Sequence, residues 1–137
     1  MIVNNDDIAE KTTVRSEMMQ IDKMGISVEV YPTGSQCILD FKIIDSCVDA
    51  GNEIYIVFKN GVKVKYNNTC YSFNCRGQSA TFIKFKKLFI SEEIATIRVV
   101  TNNNYCQVEL SEEQSKELLS TIQCAYARDW QSTVKYK

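Results

Sequence analysis

With 137 residues the chain is one domain of ordinary size, long enough to bury about two thirds of its unfolded surface without a covalent staple. Hydrophobic residues at 45%, charged residues at 24% and the absence of a low-complexity tract exclude an intrinsically disordered chain. The net charge is −1, no apolar run approaches the roughly 20 residues that span a bilayer, and the acidic stretch from Met1 to Glu10 lacks a signal-peptide core. The expected location is therefore the cytoplasm or a virion, reached without a secretory signal and without a membrane.

Residues 1 to 25 set Asp6, Asp7, Glu10, Glu17 and Asp22 among Ile8, Val14, Met18 and Ile21, with Gly25 as a stop. Their weak period fits a short amphipathic helix slightly better than an extended arm. From Ile26 the period shortens to two. Ile26–Tyr31 and Gln36–Ser46 read as strands around the turn residues Pro32-Thr33-Gly34-Ser35, and Val48-Asp49-Ala50-Gly51-Asn52 supplies the next turn. Glu53 to Tyr66 is a hairpin. A three-residue loop, Lys59-Asn60-Gly61 with Gly61 left-handed, sets Ile54, Ile56 and Phe58 opposite Tyr66, Val64 and Val62 and leaves Tyr55, Val57, Lys63 and Lys65 on the other face. Cys70–Cys75 and Thr81–Phe85 read as a further pair across Arg76-Gly77-Gln78-Ser79, and Leu88–Glu93 as a connection.

Ile94 to Tyr126 reads as a hairpin followed by a helix. An even-numbered loop places Ala95, Ile97 and Val99 on one face with Cys106, Val108 and Leu110, so the turn is either Asn102-Asn103 or a four-residue loop over 102 to 105. Asn tolerates the left-handed conformations such turns use. Ser111 is an N-cap, Gln114 holds the reciprocal capping-box position, and Glu112 and Glu113 lie in the first turn. Leu118, Leu119, Ile122, Ala125 and Tyr126 form one apolar stripe, expected to pack on the face carrying Ile97, Val99, Val108 and Leu110. The expected organisation is an arm or short helix over 1–25, an antiparallel β domain over 26–127 that includes a helix over 111–127, and a polar tail over 128–137. The fold class is α+β, mainly antiparallel β, with seven or eight strands in local hairpins and one C-terminal helix on the sheet.

Chemistry is sparse. The chain has no histidine, which removes the commonest general base and the usual partner of a nucleophilic Ser or Cys. Asp6-Asp7, Glu92-Glu93 and Glu112-Glu113 are adjacent in sequence and read as solvated or capping groups. No phosphate-binding glycine loop or calcium loop occurs, and Gly77 reads as a turn residue. The six cysteines, Cys37, Cys47, Cys70, Cys75, Cys106 and Cys124, contain no C-x-x-C spacing. They are expected to be reduced, unbridged and mostly packed as small hydrophobes, with no metal and no cofactor. The expectation is a protein without catalytic residues.

Charge is the strongest asymmetry. Residues 1–53 carry a net −6, residues 54–90 a net +7 with no acid, and residues 91–137 a net −2. In the basic segment Lys63, Lys65, Arg76, Lys84, Lys86 and Lys87 alternate with tyrosines and phenylalanines, the residues of a nucleic-acid-binding sheet and equally of a hairpin whose wet face and edges are covered by lysine. The run TIRVVTNNNYCQVELSEEQSKELL, about a quarter of the chain, resembles a strand-turn-strand-helix ending common among small proteins of gut Bacteroidetes and their phages, including crAss-like phages. Asn stands where that turn usually carries glycine. The resemblance implies an interaction domain without enzymatic activity, a phage structural protein such as an auxiliary capsid, head-decoration or neck component, working by protein contacts or self-assembly. The alternative is a cytoplasmic binder of nucleic acid or a small ligand, for example a phage inhibitor of host defence.

Overall fold

The computed structural model describes residues 2–6, 11–31, 36–70, 77–83 and 87–135. In chain order these form β1 (Ile2–Asp6), β2 (Lys11–Arg15), β3 (Met19–Ile21), β4 (Met24–Tyr31), β5 (Gln36–Ile43), β6 (Glu53–Phe58), β7 (Lys63–Asn67), β8 (Gln78–Phe82), α1 (Lys87–Ser91), β9 (Ile94–Val100), β10 (Tyr105–Glu109) and α2 (Glu112–Lys135). A six-stranded sheet runs β1-β2-β4-β5-β8, with β3 also on β4, and a four-stranded sheet runs β10-β9-β6-β7; every pairing is antiparallel. The fold is α+β and mainly β, with the C-terminal helix packed on the sheets.

Alternation drives the architecture. Met24, Ile26, Val28 and Val30 of β4 lie opposite Ile43, Phe41, Leu39 and Cys37 of β5 on one fully buried face. Ile54, Ile56 and Phe58 of β6, Ile94, Ile97 and Val99 of β9, Val108 of β10, Phe89 of α1, and Leu118, Ile122 and Ala125 of α2 complete a single core. The Phe89 ring meets Phe58 edge-on at 5.2 Å between centroids.

The N-terminal segment is not helical. Residues 11–21 instead run along the open edge of β4, first as β2 and then as β3, with the register slipping by one between Val14↔Val30 and Met19↔Ile26. Ser16 fills that irregularity: its hydroxyl accepts the Val28 N–H at 2.9 Å, while its own N–H donates to the Val28 carbonyl. The edge of β4 needed donors and acceptors, and the β-branched Thr12, Thr13 and Val14 suit a strand better than a helix. Gly25 is a buried strand residue rather than a helix stop; a Cβ there would strike the Met18 side chain.

The two local hairpins keep their expected faces. Ile54↔Tyr66 and Ile56↔Val64 pair as required by a three-residue loop, and Gly61 is left-handed at φ 91°. In the second hairpin Ile97↔Val108 and Val99↔Cys106 follow the register of the Asn102-Asn103 turn, not of a loop over 102 to 105. Neither asparagine is left-handed; instead Thr101 Oγ1 accepts the Asn104 N–H at 3.1 Å and Thr101 N–H donates to the Asn104 carbonyl at 2.9 Å. A bulge opposite Val57 and Phe58 turns Ile94 rather than Ala95 into the core.

Three further expectations change. The strand expected at Thr81–Phe85 begins at Gln78 and pairs with β5, Lys42↔Gln78 through Ile38↔Phe82, while its expected partner over 71–75 lies outside the described residues. The Leu88–Glu93 connection contains the single-turn helix α1. The final helix continues to Lys135 because no Gly or Pro interrupts it and Trp130 and Val134 extend the four-residue spacing of Leu118, Ile122 and Tyr126. Its capping box forms as expected, Ser111 and Gln114 exchanging bonds at 2.9 and 3.2 Å. Its main sheet neighbour, however, is β4, with β5 and β9 touching it less. Buried Ser115 donates to the Ile94 carbonyl at 2.6 Å and Gln123 to the Ile90 carbonyl at 2.9 Å, tying α2 to the α1–β9 segment.

Cys47 is disulfide-bonded, to a partner outside the described residues, which corrects the expectation of six unbridged thiols; Cys37, Cys70, Cys106 and Cys124 form no disulfide. Beside it Gly77, at φ 64°, packs directly on the Ile43 and Ser46 carbonyls and accepts the Ile43 N–H at 2.6 Å.

Candidate functional site

The side of the four-stranded sheet turned away from the core carries the polar halves of both hairpins. Register aligns Gln107, Arg98, Tyr55 and Lys65 in one row across β10, β9, β6 and β7, and Glu109, Thr96, Val57 and Lys63 in the next. None of these residues is buried. A shallow groove of about 370 Å³ runs along them, lined by Tyr55, Val57, Lys63, Arg98, Tyr105 and Gln107 among others. The Arg98 guanidinium lies 4.3 Å from the Tyr105 ring centroid and donates through Nε to Gln107 Oε1 at 2.7 Å. Arg98 is thus held flat and half-exposed, and Tyr105 is 51% exposed. Lys65 approaches Glu53 at 3.9 Å, and the Tyr55 hydroxyl donates to the same carboxylate.

Of the six basic residues singled out by sequence, the structure brings Lys63 and Lys65 to this face. Lys87 opens α1, whose Phe89 packs on Phe58 and Tyr66 from the opposite, core side of the sheet, so Lys87 does not join them. Arg76, Lys84 and Lys86 lie outside the described residues. Arg98 and Tyr105 belong to the second hairpin, beyond the acid-free segment that ends at residue 90, where neighbouring Glu92, Glu93 and Glu109 mask them in any count of charge by segment. Parity alone places Arg98 beside Gln107 on the solvent face.

The outer face of the six-stranded sheet holds a second cleft, of about 430 Å³, lined by Arg15, Met18, Ser27, Glu29, Asp40, Phe41, Lys42 and Gln78. Ser27 opposes Asp40 and Glu29 opposes Ile38, so the two carboxyls are diagonal neighbours. Burial pushes the Asp40 carboxyl up to about 7, helped by its hydrogen bond to Glu29 and by the Glu29 charge, against the opposing charge of Arg15. Arg15 reaches Glu29 only at 3.8 Å. The Cys70 thiol is raised by burial and by the negative charge of Asp40 and Glu29, and the Cys106 thiol by burial and Asp22. Both are held in the protonated form, the opposite of what a nucleophile requires.

Among the described residues no three Cys, Asp or Glu side chains converge to hold a metal ion, and no helix is long and apolar enough to cross a membrane. No family model, curated protein or solved structure matches the chain.

Proposed function

We propose that this is a non-enzymatic binding protein whose working surface is the outer face of the four-stranded sheet, and that its ligand is single-stranded nucleic acid. The observation that carries this reading is the stacked Arg98–Tyr105 pair in a row with Tyr55 and Lys65 on an uncovered sheet face. Aromatic rings offer stacking platforms to unpaired bases, worth about 1–3 kcal/mol per base, and neighbouring cations hold the phosphates in a salt-dependent manner. A virion component, the role implied by the C-terminal resemblance, would set the same face against protein instead.

Fluorescence anisotropy with labelled oligo(dT) and oligo(U) tests the proposal. Saturable binding that weakens with salt and falls about tenfold or more in an Arg98→Ala, Tyr105→Ala double variant is expected. Binding that ignores the double substitution, or no binding together with comigration of the protein with particles on a density gradient, overturns it.

A further inference from the structure

We propose that two copies of this chain join through the open edge of β10, antiparallel about a dyad at Gln107, so that their four-stranded sheets run on as one continuous sheet. The register of the second hairpin decides which backbone groups are free. Thr101 N–H donates to the Asn104 carbonyl and Leu110 N–H to the Ala95 carbonyl, both at 2.9 Å, so the bonded pairs between them are Cys106↔Val99 and Val108↔Ile97. The N–H and carbonyl groups of Tyr105, Gln107 and Glu109 therefore point away from β9, and among the described residues no hydrogen bond reaches them. Other edges are closed or guarded. On β8 the Ala80 N–H and carbonyl are taken by the Asn68 side chain and the Thr69 N–H. On β7 the bond from the Phe58 N–H to the Val62 carbonyl sets the phase that turns the Lys63 and Lys65 backbone outward, and both exposed lysines resist a neighbouring strand. β10 has no lysine, no proline and no bulge.

A second copy suits this edge because the dyad pairs charges that the single chain leaves open. It sets Gln107 opposite its own copy, Tyr105 opposite Glu109 of the second copy and, on the core side, Cys106 opposite Val108. Glu109 is exposed and forms no ion pair among the described residues. Arg98, stacked on Tyr105 and bonded to Gln107, meets no carboxylate there either. Seated against Tyr105 of the second copy, the Glu109 carboxylate comes to the guanidinium that lies 4.3 Å over that ring, and the dyad makes this contact twice. The three outward residues of each copy exchange about six backbone hydrogen bonds in all. With Tyr105, now 51% exposed, partly covered, this is a small and reversible interface, with a Kd on the order of 10–100 µM. The outer face stays open, and the two Arg98–Tyr105 pairs come to lie on one surface. The contact forms in the free protein and so does not depend on the nucleic-acid reading.

Sedimentation velocity of the full chain without nucleic acid, from about 5 to about 500 µM, should show a monomer–dimer equilibrium that weakens as salt rises. Glu109→Arg, which sets two cations against each other, should weaken it about tenfold or more. Hydrogen exchange in the unaltered protein reads the register directly. The Tyr105, Gln107 and Glu109 amides should slow about threefold or more between the dilute and the concentrated sample, while the outward Lys63 and Lys65 amides stay fast. A monomer at every concentration, association indifferent to Glu109→Arg, or a dimer whose Tyr105, Gln107 and Glu109 amides stay fast overturns the proposal. So does equal slowing at Lys63 and Lys65, the mark of β10 seated on β7 of the next copy in an open chain.

Discussion

Asn68 shows how much one polar side chain organises. It is 3% exposed, donates to the Asp49 and Cys70 carbonyls at 2.9 and 3.2 Å, and accepts the Cys70 and Ala80 N–H groups at 3.0 and 2.9 Å. It therefore joins the loop after β5, the end of β7 and the outer edge of β8. Asn68→Ala strands four backbone groups and should cost on the order of 3 kcal/mol or more, read as a lower midpoint in urea denaturation. Asp40 makes the opposite kind of contribution. Its carboxyl moves from 3.8 to about 7 on folding, so between those values the native chain binds more protons than the unfolded one. The stability it confers is fully present below about pH 4 and is lost as the pH rises to about 7. Urea denaturation at about pH 5 and about pH 8 should show this loss, and Asp40→Asn, which cannot ionise, should remove it. Neither role was legible beforehand. Asn68 reads as a loop residue, and Glu29 and Asp40 stand in separate strands with no local mark of their pairing.

At the scale of elements, stability should rest on α2. Leu118 and Ile122 are 2% and 1% exposed in the shared core, so truncating either to alanine should cost about 2–5 kcal/mol. A thermal melt checks this, and an unchanged melting temperature in both variants would refute the helix placement. Ser111→Ala should cost about 1 kcal/mol, since it removes a cap without opening a cavity. Hairpins and helix start could be read from sequence because each depends on residues a few positions apart: turn length sets parity, and Ser111 and Gln114 satisfy donors within one turn. The helix end could not be read by a stop signal, because none exists before Lys135.

At the scale of the whole molecule, the disulfide at Cys47 anchors the loop between β5 and β6 near the site where Gly77 docks. Alkylation followed by peptide mapping should label Cys47 only after reduction, whereas exposed Cys124 should react without it. What the sequence alone determined is the class of the fold, the two hairpin faces and the start and inner stripe of α2. In each case period-two or period-3.6 burial and nearby turn or cap chemistry admit one solution. Only the tertiary structure decided that residues 11–21 complete the edge of β4, that β8 joins β5, that α2 lies on β4, that Arg98 and Lys65 share a row across the intervening Tyr55, and that Glu29 meets Asp40. Those pairings join segments far apart in the chain. An alternating strand fits any open edge equally well until loop closure, shared core volume and the need to satisfy every buried backbone group select among the edges.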